Sequence, residues 1–451
     1  MDFTALENFI QERLTKYKFP SISVALLKGR EVIYSRGFGF RDITESLPAT
    51  PNTNYCVGSV TKTFTAVATM QLVERGLMSL EEPVNKFVDV IKSSDIKVYH
   101  LLSHTSGIPA LGYAEALIDS YYGLSNYWFP IATPDDVVSF MRDYNEWLTH
   151  KPGERWFYLN EGYVLLGKII EKVSGVSYES YIKTNILDKL GMKKSYFTRD
   201  EYLRDSNRAT PYLINREGKH VRTEPVFGIS ADGGLFSNVI DLLRFTEALI
   251  NRGVLDDVEI LSKDSIILME RAFTQLPYES VVADSYGLGL TIRHNFFGRK
   301  LVGHSGSVLV YTAYVGYVPD EKISVAVLAN SSGYPLSLIG GYALAMLLGR
   351  DPEKELPYVL TERTYDKLVG TYKNYKETVR IHVKRSGDML FLEEDSRDSS
   401  PVPLVLEKMS EDYVLFRIHT LAAKIPVEFY IKNSKITMVY DRYELIKTTS
   451  S

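Results

Sequence analysis

The sequence contains one cysteine, Cys56, in 451 residues. No internal disulfide can form, so the fold rests on packing alone. Glutamine is almost missing as well, occurring only at Gln11, Gln71 and Gln275. With many lysine, glutamate and tyrosine residues beside that scarcity, the composition is that of a heat-adapted protein. Net charge is small, −4, with both signs interspersed, which supplies no field to attract nucleic acid or an anionic membrane. No stretch approaches the roughly 20 apolar residues of a membrane-spanning helix. The first residues lack the basic start, unbroken apolar run and small-residue cleavage site of a secretory signal, and cytoplasmic residence is expected. No His-x-x-x-His or carboxylate cluster has metal-ligand spacing, and Lys62-Thr63 lacks the upstream glycine of a phosphate loop. Neither metal nor cofactor is expected, and a peptide or small molecule is the expected partner.

What is present reads as a soluble globular chain of two or three structural units, 45% apolar and long enough for each unit to bury its own core. Phe3, Leu6, Phe9, Ile10 and Leu14 recur at helical spacing and predict an amphipathic surface helix. Two β-rich runs, 21–27 and 31–35, flank Lys28-Gly29-Arg30 and predict a hairpin. From Thr61 to Arg75 apolar residues (Phe64, Ala66, Val67, Ala68, Met70, Leu72 and Val73) fall on all faces of a helical pattern, which predicts a buried helix stopped at Gly76. Residues from about 78 to 215 form short helical patterns split by proline and glycine, including 162–173. Strand signals return at 287–293, 313–318 and 322–330 and can complete the sheet begun by the hairpin.

Residues 350–357 are charged, carry Pro352 and Pro357, and predict a linker. Beyond it, strand-like runs at 378–383, 389–392, 402–406, 413–418, 425–431 and 435–440 are joined by turns such as Ser386-Gly387-Asp388 and Lys432-Asn433-Ser434. Such regular spacing predicts a small antiparallel barrel or sandwich. The expected division is a first domain over 1–356 and a second over 357–451.

Three motifs can carry chemistry. Ser59-Val60-Thr61-Lys62 lies where a strand-like run passes through Gly58 into the buried helix, and positions i and i+3 share a helix face, so the Ser59 hydroxyl and Lys62 amine can meet. Serine is a poor nucleophile without a partner, and a lysine can take its proton only when desolvation or neighbouring positive charge favours the neutral amine. The amide of Ser59, at the helix start, can help to bind an oxyanion. An ordinary capping serine is the plainer reading of this motif alone. Tyr158-Leu159-Asn160 follows a Pro-Gly turn; the tyrosine can relay protons and the asparagine can orient the nucleophile's partners, although a tyrosine that merely packs is equally consistent. In Gly303-His304-Ser305-Gly306-Ser307, the glycine at 306 would let substrate backbone approach a strand edge, and the Ser307 amide can be a second oxyanion donor. A rival reading makes Ser305 the nucleophile of a Gly-x-Ser-x-Gly elbow, but the fifth position is Ser307 and no helix pattern follows. Cys56 reads as a packing residue, and His104 as a loop-shaping one. The aromatic stretch Tyr113, Tyr121, Tyr122, Tyr127, Trp128 and Phe129 reads as core or as the wall of an apolar substrate pocket.

In this order and at these intervals, the three motifs resemble those of the penicillin-recognising serine hydrolases, the group of class C β-lactamases, D-aminopeptidases, DD-carboxypeptidases and related esterases. The phrases 101–107, 162–167 and 233–237 extend the resemblance over most of residues 20 to 330. It implies an α/β fold of the β-lactamase/transpeptidase type, an antiparallel sheet flanked by helices plus an all-helical region. It implies Ser59 as the acylated nucleophile, Lys62 and Tyr158 as the acid/base pair, Asn160 as an orienting residue, and His304, Gly306 and Ser307 at the substrate-binding strand. β-Lactamases of the group place lysine where this chain has His304; histidine resembles the D-aminopeptidase branch and argues against efficient β-lactamase activity. The C-terminal region resembles the lipocalin-like barrels of that branch, most of all the archaeal compartment-forming serine proteases, which implies a closed homo-oligomer. The resulting expectation is a D-aminopeptidase-like peptidase of short peptides, with a preference for D-residues left open, and with a carboxylesterase, a weak β-lactamase or a penicillin-binding receptor without turnover as alternatives.

Overall fold

The computed structural model describes residues 2–125, 129–395, 400–432 and 435–448 and divides into two compact units, Met1–Arg350 and Asp351–Ser451. Tyr127, Trp128 and the turn residues Asn433 and Ser434 lie outside the described residues.

The first unit is built on a nine-stranded antiparallel sheet. The hairpin Ser21–Lys28/Glu31–Asp42 lies near one end, and Ser21–Lys28 pairs on its other side with Ile323–Ala329. The order continues through Thr312–Val318, Arg299–Ser307 and Thr291–Phe296 to the two short strands Ser285–Tyr286 and Thr274–Gln275. The third motif therefore lies within a strand, Arg299–Ser307, that periodicity alone did not mark.

Both faces of this sheet are covered. The helix Leu336–Leu347 lies so close to it that a side chain at Gly340 would meet Tyr314 and Val325. Next in the chain, Ser324 receives a hydrogen bond from Thr246 on the helix Val239–Ile250 at 2.9 Å, and successive strand residues point to opposite faces. The N-terminal helix spans Thr4–Lys16 and buries Leu6, Phe9 and Ile10. Phe9 stacks on Tyr342 at 4.0 Å. Leu14 is only half-buried, and Arg13 is enclosed instead, its guanidinium 3.6 Å above the Phe9 ring. Such stacking lets a charged head sit in a core that spacing rules would deny it.

The helix Thr61–Glu74 is buried at every position from Thr61 to Leu72. Phe64 stacks on Phe245 at 3.9 Å. Its buried threonine hydroxyls are all paired: Thr69 donates to the Thr65 carbonyl at 2.9 Å and Thr63 to the Val60 carbonyl at 2.8 Å, whereas Thr65 donates to the Ala231 carbonyl at 2.5 Å and Thr61 accepts the Leu235 N–H at 3.1 Å, which offsets the cost of burying them. The helix stops at Gly76, whose φ of +69° is left-handed. Between it and residue 215 the chain is helical in short pieces, the longest being Asn160–Ser174.

The second unit is a closed eight-stranded antiparallel barrel, in which the first strand, Gly370–Lys373, pairs with the last, Tyr443–Lys447. Those two closing strands were not marked by the sequence pattern. Alternating inward residues such as Val414, Phe416, Val427 and Phe429 fill its interior. The expected linker is instead ordered: Asp351 caps a short helix, Pro352–Glu355, and a second helix, Pro357–Leu368, packs Tyr365 and Leu368 into the barrel core. Both prolines occupy the first turn of a helix, where a missing N–H costs nothing. Among the described residues no helix is long and apolar enough to cross a membrane.

Candidate active site

Ser59 lies on a single 3-10 turn, Gly58–Val60, between the short strand Tyr55–Cys56 and the buried helix. The turn is pressed against the strand Arg299–Ser307. A Cβ on Gly306 would come within 2.0 Å of the Val57 carbonyl oxygen and 3.0 Å of the Ser59 nitrogen, and one on Gly58 would lie 2.8 Å from the Ser307 nitrogen. The space beside Gly306, expected to admit substrate backbone, is thus filled by the turn that carries Ser59. Two glycines let two backbones approach, bringing the amides of Ser59 and Ser307 to the same place.

Lys62 is completely buried, and its three N–H donors are all used. They reach Ser59 Oγ at 3.1 Å, Asn160 Oδ1 at 2.8 Å and the main-chain carbonyl of Asp232 at 2.7 Å. The ammonium also lies 4.9 Å from the centre of the Tyr158 ring. Of these partners only Ser59 is close in sequence.

The backbone on either side of Tyr158 is held by His104. That residue is buried, has a left-handed φ of +58°, and accepts the Leu159 N–H on Nδ1 at 2.9 Å and the Phe157 N–H on its carbonyl at 2.8 Å. The two bonds bracket Tyr158, on whose ring the imidazole packs at 4.3 Å. With Nδ1 accepting, the neutral ring carries its proton on Nε2, which has no hydrogen-bond acceptor among the described residues; the rings of Tyr163 and Tyr286 lie about it. Burial, with the Lys62 ammonium adding in the same direction, holds His104 well below the ordinary histidine value.

His304 is neutral too. Its Nδ1 must donate to the Ser305 carbonyl, 2.6 Å away, because a carbonyl only accepts, and its Nε2 then accepts the Tyr286 O–H at 2.8 Å. Burial pushes it down to about 3, with Lys62 adding in the same direction. This strand consequently presents no cation near Ser59. Ser305 is exposed on the same strand, which leads into the strand Thr312–Val318 and not into a helix, so it has none of the surroundings of an elbow nucleophile.

Two cavities meet at Ser59 and Ser307. The larger has walls from Trp156, Tyr158, Tyr278, Tyr286, His304 and Tyr334. The smaller is lined by Tyr113, Leu117, Tyr122, Asn160, Asp232 and Val310, among others. Tyr113 and Tyr122 thus take the pocket reading of the aromatic stretch, whereas Tyr121 and Phe129 are exposed. Cys56 also borders the smaller cavity; its thiol faces the Gly233 carbonyl at 3.4 Å and is pushed up to about 12 by burial, which leaves it unreactive.

Sequence reasoning missed Asp232. It is buried, its Oδ2 accepts the Tyr113 O–H at 2.6 Å, and burial raises it above the usual carboxylate range. Glu161, also buried and raised by burial, accepts the Tyr113 N–H at 3.1 Å. The only local signal for Asp232 is its position just before Gly233-Gly234.

A family model described as β-lactamase matches residues 6–347, and one described as the Pab87 octamerisation domain matches residues 352–446. A penicillin-binding protein of Bacillus subtilis is 30% identical over 363 residues, 76% of this chain and 75% of that protein. The octameric penicillin-binding protein homologue from Pyrococcus abyssi is 48% identical, with a TM-score of 0.94 over 99% of this chain and 100% of that one. A D-stereospecific amidohydrolase from a Streptomyces species shares the fold, with a TM-score of 0.64 at 24% identity over 78% of this chain and 100% of the other.

Proposed function

The chain belongs to the β-lactamase family of serine hydrolases, and we propose that it is a peptidase that forms an acyl-enzyme at Ser59. The observation that carries this reading is the 3.1 Å contact between Ser59 Oγ and the buried Lys62 amine at the meeting point of two cavities. In the proposed reaction Lys62 acts as the neutral amine, keeping two N–H groups on Asn160 Oδ1 and the Asp232 carbonyl and turning its lone pair to the Ser59 O–H. Ser59 Oγ attacks the peptide carbonyl, its proton passes to the Lys62–Tyr158 pair, and that pair protonates the leaving amine. The amides of Ser59 and Ser307 receive the oxyanion, a role supported by the contact of the two backbones at Gly306 and Gly58. Asn160 keeps Lys62 oriented. Water then attacks the ester, the proton path runs in reverse, and the acid leaves with Ser59 restored.

Short peptides are the proposed substrates, with D-residues favoured. His304 supports this over β-lactamase activity, because a neutral imidazole with both nitrogens engaged offers no cation to a substrate carboxylate. The test is a panel of matched L- and D-peptides, a short ester and a penicillin, run beside labelling with a neutral serine-reactive phosphonate. The expected result is an adduct at Ser59 and repeated turnover of peptide amides. An adduct at Ser305 or nowhere overturns the proposal, faster turnover of ester or penicillin than of every peptide redirects it to the esterase or β-lactamase alternative, and a single stoichiometric burst makes the protein a receptor.

The assembly is proposed to be a closed homo-oligomer joined through the barrel. Support comes from the octamerisation-domain match over residues 352–446 and the octameric Pyrococcus abyssi homologue. Native mass spectrometry is expected to give eight chains, and a monomer at working concentration refutes it.

A further inference from the structure

The two cavities that meet at Ser59 differ in size, about 870 Å³ against about 90 Å³. Tyr158 borders the larger one and not the smaller, so a leaving amine protonated by the Lys62–Tyr158 pair departs into the larger. That cavity therefore meets the residue on the leaving side of the scissile bond. Among the described residues lining it there is no lysine, arginine, aspartate or glutamate, and its histidine, His304, is held neutral. A charged side chain would enter it without a counter-charge.

Next to Tyr158 the wall is aromatic. The Trp156 ring centre lies 6.0 Å from that of Tyr158 and 6.2 Å from that of Tyr278, and the Tyr278 ring stands at 79° to the indole, an edge-to-face pair. Tyr278 is 54% exposed, yet it is not on a loose loop. The segment between the strands Thr274–Gln275 and Ser285–Tyr286 is tied to itself: the Leu276 N–H donates to the Asp284 carbonyl at 2.9 Å, the Ser280 N–H to the Ala283 carbonyl at 2.8 Å, and the Ala283 N–H to Ser280 Oγ at 2.9 Å. Leu276 and Ala283 are buried in one apolar cluster with Tyr286, against which Trp156 and Tyr158 pack. The Tyr278 ring is thus held in place while half of it stays uncovered. A ring fixed in advance loses little freedom when a ligand covers it.

We propose that Trp156 and Tyr278 form a slot that selects the residue bearing the leaving amine, favouring an aromatic side chain there. This rests on the acyl-enzyme reading above and deepens it by assigning specificity on the leaving side of the bond. Tyr278 is the member to alter, because Trp156 also packs on Tyr158 and its loss would disturb proton transfer. The rival role for Tyr278, packing its own loop, affects every leaving group alike.

The experiment measures kcat/KM on two peptide amides that share the acyl residue turned over fastest in the panel above. The leaving half is phenylalanine amide in one and alanine amide in the other. Full-length protein, Tyr278→Ala and Tyr278→Phe are compared, and the ratio of the two kcat/KM values is read so that any loss common to both substrates cancels. Ser59 labelling by a neutral phosphonate is followed in parallel. The unaltered protein is expected to favour phenylalanine by about 10- to 100-fold, the range for burying a phenyl ring. In Tyr278→Ala the ratio should fall by about 3- to 10-fold, the share of one aromatic pair, and Tyr278→Phe, which keeps the ring, should preserve it. No preference for phenylalanine in the unaltered protein overturns the proposal whether or not the variants fold. So does an unchanged ratio in Tyr278→Ala, or a ratio lost equally in Tyr278→Phe, or no turnover of either amide. If any of these occurs while Ser59 is labelled normally, the aromatic slot fails and acylation at Ser59 stands; absence of Ser59 labelling in the unaltered protein overturns both.

Discussion

Alanine at position 306 would put a methyl group into space held by the backbone of the turn that carries Ser59. The added Cβ would stand 2.0 Å from the Val57 oxygen and 3.0 Å from the Ser59 nitrogen, and real Cβ contacts essentially never fall below 3.0 Å. Both obstacles are main-chain atoms, so no rotamer change relieves the clash. The strand and the turn must separate by roughly 1 Å, a displacement that costs on the order of 10²-fold when it falls on reacting groups. Losing one oxyanion donor costs about 10²- to 10³-fold in kcat. Gly306→Ala is accordingly expected to lower kcat on a short ester by about 10²- to 10³-fold. The fold itself should lose only roughly 1–3 kcal/mol, the usual cost of one overpacked methyl, so the thermal midpoint moves by a few degrees. Ser305→Ala, next in the strand and exposed, serves as the control and should retain activity. Ester turnover, phosphonate labelling rate and thermal unfolding are measured on all three proteins. Gly306→Ala turning over within threefold of the unaltered protein would refute the reasoning, since the two backbones would then tolerate separation.

Lys62→Met removes the donor shared by Ser59, Asn160 and Asp232, and phosphonate labelling of Ser59 should slow by about 10²- to 10⁴-fold; labelling at the original rate contradicts the assigned role. His304 has a native value of about 3 against about 6.5 unfolded, so between those values the unfolded chain binds a proton that the native one does not, and stability falls as pH drops from about 6.5 towards 3. His100, lowered by burial to about 4, acts in the same direction. Urea midpoints should be lower at pH 5 than at pH 7.5, with a smaller drop in His304→Gln, and an NMR titration of His304 near 6.5 would disprove the mechanism. His104→Phe strands the buried Leu159 N–H, at a cost of about 1–3 kcal/mol, and should lower kcat more than it changes KM because Tyr158 loses its bracket; an unchanged urea midpoint counts against it.

Short-range features were the legible ones. The hairpin at Ser21–Lys28 and Glu31–Asp42 and the buried helix Thr61–Glu74 follow from residue periods of two and 3.6, and each closes with a local turn or stop. The barrel was recognisable from the regular spacing of its strands, but not the strands that close it, Gly370–Lys373 and Tyr443–Lys447, which are short and lie at opposite ends of the domain. The helix Pro357–Leu368 was hidden because a proline in a charged stretch reads as a break, and only its packing against the barrel core makes it a helix start. His104 offered a phrase without a role, because its partners are the Phe157 and Leu159 amides some fifty residues on.

The sequence by itself determined that Ser59 and Lys62 can touch, since three residues along a helix lie on one face whatever surrounds them. Only the tertiary structure decided what encloses that pair. Asn160 and Asp232 lie 98 and 170 residues from the lysine they hold, and the glycine at 306 matters because of a carbonyl at Val57. Such contacts depend on how sheet and helices stack, and no local pattern records that one aspartate among 56 acidic residues borders a cavity beside Ser59.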